Sequence, residues 1–159
     1  MSTLDIHPLG SCLGAEIRGL DLKTLDEAEE AALKAAFAEH RVLVVRDQSL
    51  DPGEQEEFSA RLGPLYRMPY VKPIDGHPDV IAVLKEADEV NVSTFGSWWH
   101  ADFSYLEEPP VYSILQSVEL PPKGGDTLFA DCCAAYDALS DGMKRLLDIL
   151  GAFAGLLLL

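Results

Sequence analysis

Trp98-Trp99-His100-Ala101-Asp102-Phe103-Ser104-Tyr105 is the stretch on which the reading of this chain turns. In extended backbone, side chains two residues apart project to one face, so the His100 imidazole and the Asp102 carboxylate are expected to point the same way. Such a pair provides two of the three ligands of a two-histidine, one-carboxylate metal face, the arrangement suited to non-haem Fe(II). The third would be a histidine from distant sequence, and none follows His100. His7 lies near the terminus, His40 at the end of a helical pattern and His77 in a Gly-His-Pro turn. Each reads as a cap, turn or surface residue before it reads as a ligand.

Taken alone, His-x-Asp is more often a histidine hydrogen-bonded to a turn carboxylate than a metal site. Its surroundings change the balance. Two tryptophans precede the pair and Phe103 and Tyr105 follow it, so it is expected against an apolar wall. An ionised carboxylate placed there needs a strong partner, and a divalent cation is one. The polar stretch 86–97 reads as a loop, serving either as a connection or as a lid. The chain has no histidine cluster suited to zinc, no paired carboxylates at hydrolase spacing, no Gly-x-x-x-x-Gly-Lys phosphate loop and no Gly-x-Ser-x-Gly turn.

The bulk numbers are those of a globular domain: 159 residues, 48% hydrophobic and 25% charged, enough for one domain with a core. A net charge of −15 argues against nucleic acid or an anionic membrane as partner. Cys12, Cys132 and Cys133 form no disulfide framework or zinc spacing, and a cytoplasmic, reducing location is expected. Met1-Ser2-Thr3-Leu4-Asp5 lacks the basic and apolar regions of a signal peptide. The run 149–159 is wholly apolar but only about half of the ~20 residues that span a bilayer. A cut core element or a frame-shifted tail is the expected reading.

Apolar spacing predicts a helix over 26–39, with Asp26 as N-cap and Ala28, Ala31, Ala32, Leu33, Ala36 and Phe37 on its apolar positions. A second helix is predicted to open at Asp51-Pro52, to end at Gly63-Pro64 and to turn Phe58 and Leu62 to the core. Strands are expected at 15–19, 42–45, 80–84, 111–118 and 127–130, the second of them covered on both faces. Residues 120–126 specify a reversal between the last two. Short helices are expected at 134–139 and 142–150, with Ser140 as a cap. The layout is α+β rather than regular βαβ alternation.

The chain resembles the N-terminal part of the taurine dioxygenase family of Fe(II)- and 2-oxoglutarate-dependent oxygenases. The residues that carry the resemblance are Pro8-Leu9-Gly10, Gly14-Ala15-Glu16-Ile17-Arg18-Gly19-Leu20-Asp21-Leu22, Val42-Leu43-Val44-Val45-Arg46-Asp47-Gln48, Trp99-His100-Ala101-Asp102, Glu108-Pro109-Pro110 and Gly124-Gly125-Asp126-Thr127-Leu128. It extends to about residue 150. It implies a double-stranded β-helix, or jelly roll, with flanking helices, formed by a single incomplete domain over 1–159. His100 and Asp102 match the first two iron ligands, and Thr127 matches a threonine that helps to hold the 2-oxoglutarate carboxylate. Without the resemblance, Thr127 is a β-branched residue opening a strand after a glycine turn. The implied cofactor is Fe(II), with 2-oxoglutarate as cosubstrate, and the implied partners are a small organic substrate and molecular oxygen.

The family continues with a distal histidine and an arginine clamp for the cosubstrate, whereas no Arg follows Arg145 here. A truncated or frame-shifted dioxygenase is therefore expected, with its independent activity open. Met68 stands where taurine-oxidising members carry a sulfonate-binding histidine, which argues against taurine; Arg67 and Tyr70 are nearby, Arg67 is a candidate for binding an acidic group, and Phe95 and Trp98 are candidate lining. Two alternatives stay open: a non-catalytic, incomplete jelly-roll binding module, and a cupin-type hydrolase or isomerase. Strands without partners are expected to expose apolar surface and promote self-association, so a homo-oligomer is among the expected states.

Overall fold

The computed structural model describes residues 4–68, 70–86, 96, 98–104 and 106–157, with side chains of the last helix described as far as Gly151. Three short strands form the first sheet: β1 (Asp5–Pro8), β2 (Ala15–Arg18) and β3 (Leu43–Val45), in the order β1-β2-β3. β1 runs antiparallel to β2, with Ile6 opposite Ile17 and His7 opposite Glu16. β2 runs parallel to β3, with Glu16 opposite Val44. Parallel neighbours require a crossover, and helix α1 (Glu27–His40) provides it. One βαβ unit thus sits inside the α+β layout.

Local chemistry explains both long N-terminal elements. Asp26 accepts from the Glu29 N–H while Glu29 accepts from the Asp26 N–H, a reciprocal cap that satisfies two otherwise orphaned donors. Asp51 and Glu54 repeat it at α2 (Pro52–Leu62), where proline takes the first helical position. Leu33 and Ala36 of α1 and Phe58 of α2 are buried with Ile17, Leu20, Leu22, Leu25 and Leu50 in one core cluster. Ala28 and Ala31, also expected on the apolar stripe, are exposed. A side-chain amide closes the loop between β2 and α1: Gln48 accepts from the Leu22 N–H at 3.0 Å and donates to the Leu20 carbonyl at 2.8 Å.

The one buried charged residue of β2 is Glu16, gripped by Arg18 at 2.6 Å and Arg46 at 2.7 Å. The Arg18 hydrogen bond, followed by that of Arg46, lowers its pKa from the ordinary 4.5 to about 2 against the opposing pull of burial.

Several strand expectations are corrected. β3 is half-buried rather than covered on both faces, because it is an edge of a three-stranded sheet. The strand expected at 80–84 is β5 (His77–Ile81), paired with β4 (Pro73–Ile74), while Val83 and Leu84 are exposed. The turn at Asp75-Gly76, with Gly76 at φ +86°, starts the pairing earlier, and a two-residue partner limits its length. Segments 111–118 and 127–130 are unpaired among the described residues. The first nevertheless keeps the alternation of a strand: Tyr112, Ile114 and Gln116 are half-buried, and Val111, Ser113, Leu115 and Ser117 are exposed. Among the described residues it has no neighbour to complete a ladder. The complete jelly roll is not present among the described residues, which hold only the three-stranded sheet and the β4-β5 hairpin.

Asp131 caps α3 (Cys132–Asp137) through the Ala134 N–H, which starts this helix two residues before its expected position. Ser140 accepts from the Met143 N–H at the start of α4 (Asp141–Leu157). The apolar tail is thus helix as far as it is described. Met143, Leu146, Leu147, Ile149 and Leu150 of α4 are exposed, as are Val111, Leu115, Val118, Leu128 and Phe129. No helix among the described residues is long and apolar enough to cross a membrane.

Two outcomes are expected. Replacing the cap residue in Asp51→Ala should cost about 1 kcal/mol in urea unfolding, the usual cost of losing such a cap; an unchanged midpoint would contradict the capping account. Glu16 ionises more readily folded than unfolded, so its stabilisation is complete above pH 4.5 and is lost as pH falls from 4.5 toward 2. The stability difference between the native chain and Glu16→Gln should therefore be open at pH 7 and close over that window. A gap independent of pH would refute it.

Candidate metal centre

His100 and Asp102 meet, although not through the strand geometry expected of them. The backbone turns at 102–104, and Phe103 adopts φ +50°, a left-handed conformation unusual for an aromatic residue. His100 Nε2 lies 3.2 Å from Asp102 Oδ1. The other edge of each side chain is tethered. His100 Nδ1 is 2.8 Å from the Trp98 carbonyl oxygen, and the Ser113 hydroxyl donates to Asp102 Oδ2 at 2.6 Å. Gly96 leaves room for the ring: a Cβ there would lie 3.1 Å from His100 Cε1, and its φ of +73° suits glycine.

These tethers determine the electrostatics. A carbonyl oxygen can only accept, so Nδ1 carries the proton of the Trp98 bond. In the neutral ring, Nε2 then presents a lone pair to a carboxylate oxygen. Two acceptors at 3.2 Å repel unless a proton or a shared cation stands at that edge. Metal-binding histidines characteristically donate their second ring N–H to a carbonyl or carboxylate, and bound carboxylates are themselves hydrogen-bonded. The donor set fits a divalent cation such as Fe(II), with nitrogen and oxygen donors converging and their outer edges fixed.

Among the described residues the expected apolar wall is not formed, and Tyr105 lies outside them. Side-chain exposure is 52% for His100 and 46% for Asp102, and Trp98 and Trp99 are largely exposed. Phe103, next to Asp102, packs against Tyr66 with 5.3 Å between ring centres. Segment 111–118 lies across the core with one side and turns its exposed side, bearing Ser113, toward the pair.

The remaining candidates are not joined to the pair. Thr127 is exposed and makes no hydrogen bond to His100 or Asp102 among the described residues. His7 pairs with Asp5 at 2.8 Å. His77 pairs with Glu56 at 3.1 Å, and that bond is the main cause of the lowered Glu56 pKa. No group of three or more metal-binding side chains occurs among the described residues. Arg67 is exposed beside Asp79 at 3.5 Å, Tyr70 is exposed and Met68 is half-buried. Phe95 and most of the expected loop 86–97 lie outside the described residues. Sequence reading missed Ser113 and Gln116. Nothing in Val111-Tyr112-Ser113-Ile114-Leu115-Gln116-Ser117-Val118 singles them out, because the alternation of this segment is one of burial and not of residue type.

The family profile described as "Taurine catabolism dioxygenase TauD, TfdA family" matches residues 5–152. The chain belongs to the TauD/TfdA family. It is 39% identical over 151 residues to an alpha-ketoglutarate-dependent sulfate ester dioxygenase of Pseudomonas putida, a match covering 94% of this chain and 48% of the relative. It is 33% identical over 159 residues to an (S)-phenoxypropionate/alpha-ketoglutarate-dioxygenase of Delftia acidovorans, covering 91% and 52%. Among solved structures, a taurine dioxygenase from Burkholderia xenovorans superposes with a TM-score of 0.76 at 34% identity, covering 92% of this chain and 51% of that one. The chain spans about half the length of the curated relatives it matches.

In this TauD/TfdA chain, Gln116 ties the segment bearing Ser113 to the core. Its amide accepts from the Leu50 N–H at 3.0 Å and donates to the Leu50 carbonyl at 2.8 Å. Leu50 is buried, so Gln116→Ala leaves two backbone groups without these partners. A loss of about 1–3 kcal/mol in urea unfolding is expected. A loss below ~0.5 kcal/mol would show that water replaces the clamp at no cost.

Proposed function

We propose that this chain is the N-terminal part of an Fe(II)- and 2-oxoglutarate-dependent dioxygenase of the TauD/TfdA family. In this reading the whole protein oxidises a small anionic organic molecule, and residues 1–159 form one incomplete domain of its jelly roll. The observation that carries the reading is the convergence of His100 Nε2 and Asp102 Oδ1 at 3.2 Å with both outer edges tethered. Family membership and the names of the relatives support the cofactor and the reaction class. Sulfate ester and phenoxypropionate in those names support an anionic substrate. The three unpaired thiols, Cys12, Cys132 and Cys133, support a cytoplasmic location.

His100 and Asp102 would hold the metal, and Thr127 would donate its hydroxyl to the cosubstrate carboxylate. Bound Fe(II) with 2-oxoglutarate supplies oxidative chemistry: oxygen converts the cosubstrate to succinate and carbon dioxide while a substrate carbon is oxidised. The chain's own contribution is geometric. The Trp98 carbonyl keeps the proton on Nδ1 and so leaves Nε2 free to donate its lone pair. Ser113 holds Oδ2 back, leaving Oδ1 on the shared edge. Exclusion of water requires further cover, since the pair is half-exposed here. That exposure is the observation that favours the second reading, a non-catalytic jelly-roll module.

Anaerobic titration of the chain with Fe(II) and 2-oxoglutarate separates the two readings. The dioxygenase reading expects a weak visible charge-transfer band when both are added, and His100→Ala should abolish it. Oxygen-dependent release of succinate would further exclude a hydrolase or isomerase. Absence of the band, or a band unchanged in His100→Ala, would overturn the assignment.

A further inference from the structure

We infer that Ser113 is a positioning residue for the metal pair, setting which oxygen of Asp102 faces His100. This rests on the reading of His100 and Asp102 as ligands. A carboxylate turns readily about its last torsion, which is broad and two-fold, so an untethered Asp102 would exchange its two oxygens. Ser113 ends that freedom. Its hydroxyl donates to Oδ2 at 2.6 Å, within the short range of a bond from O–H to an ionised carboxylate. Oδ1 is thereby left on the His100 side, 3.2 Å from Nε2.

The position of Ser113 is itself set from the opposite face of its segment. Tyr112 packs edge-on against Phe37 of α1 with ring centres 4.7 Å apart, Ile114 packs against the core cluster, and Gln116 clamps Leu50. Alternation along extended backbone then presents Ser113 on the outer face. Asp102 sits in a turn, half-exposed, and Ser113 supplies its only hydrogen bond from a hydroxyl among the described residues. A loop tie with no metal role would make the same bond, so the test must read the metal.

The probe is Mn(II) alone, followed by loss of the free aqueous ion's paramagnetic resonance signal as the full chain is titrated. Ser113→Thr keeps the hydroxyl, and Ser113→Val has nearly the same shape without it; both are β-branched and suit an extended segment. The native chain and Ser113→Thr should agree within about threefold, whereas Ser113→Val and Ser113→Ala should bind about tenfold more weakly, the lower end of what loss of an outer partner costs a metal site. Thermal melts of all four check that the fold persists, and the Thr–Val comparison carries the test even if the smaller alanine disturbs packing. If Val binds as tightly as Thr while His100→Ala abolishes binding, the ligand reading stands and the positioning role falls. If the native chain fails to retain Mn(II), the ligand reading falls and takes this inference with it.

Discussion

Two hydrogen bonds from one side-chain amide, Gln116 to the Leu50 N–H and carbonyl, tie the second half of this chain to the first. The buried cluster is built almost wholly from residues before 60: Ile17, Leu20, Leu22, Leu25, Leu33, Ala36, Leu50 and Phe58. Segment 111–118 contributes no strand ladder to it among the described residues. Its registration depends on the amide clamp, the Tyr112–Phe37 contact and partly buried Ile114. A carboxamide satisfies a backbone donor and acceptor at once, much as a strand neighbour would. Gln48 does the same for Leu20 and Leu22. Where sheet is short, amide side chains take over the pairing.

The chain treats two carboxylates in opposite ways. Glu16, buried in β2, is neutralised by two guanidinium groups, one on each carboxylate oxygen. Asp102 receives one hydroxyl and faces an imidazole edge. A carboxylate supplied with positive charge stabilises a sheet, whereas one left short of it invites a cation. The proposed ligand role of Asp102 rests on its neighbour His100 and on the Ser113 hydroxyl that fixes its outer oxygen.

The exposed apolar residues follow the same boundary. Val111, Leu115, Val118, Leu128 and Phe129 lie on unpaired segments, and α4 carries exposed Leu146, Leu147, Ile149 and Leu150. Strands expected from sequence at 111–118 and 127–130 have the right composition, but composition cannot provide a partner. The relatives are about twice as long as the region matched. In the proposed whole protein, these segments are the ones that would gain neighbours.

Sequence by itself determined the elements whose causes are local. The Asp26–Glu29 and Asp51–Glu54 caps start α1 and α2 because donor and acceptor lie three residues apart. His-x-Asp marked the candidate pair because donors two residues apart lie close together in most backbone conformations. Tertiary structure decided what depends on distant groups: that the pair meets across a turn with Phe103 at positive φ, that it stands half-exposed beside largely exposed tryptophans, and that Ser113 holds its outer oxygen. Periodicity marks which residues share a face, but it carries no information on which distant segment lies opposite. That is why the candidate pair was legible and its tether was not.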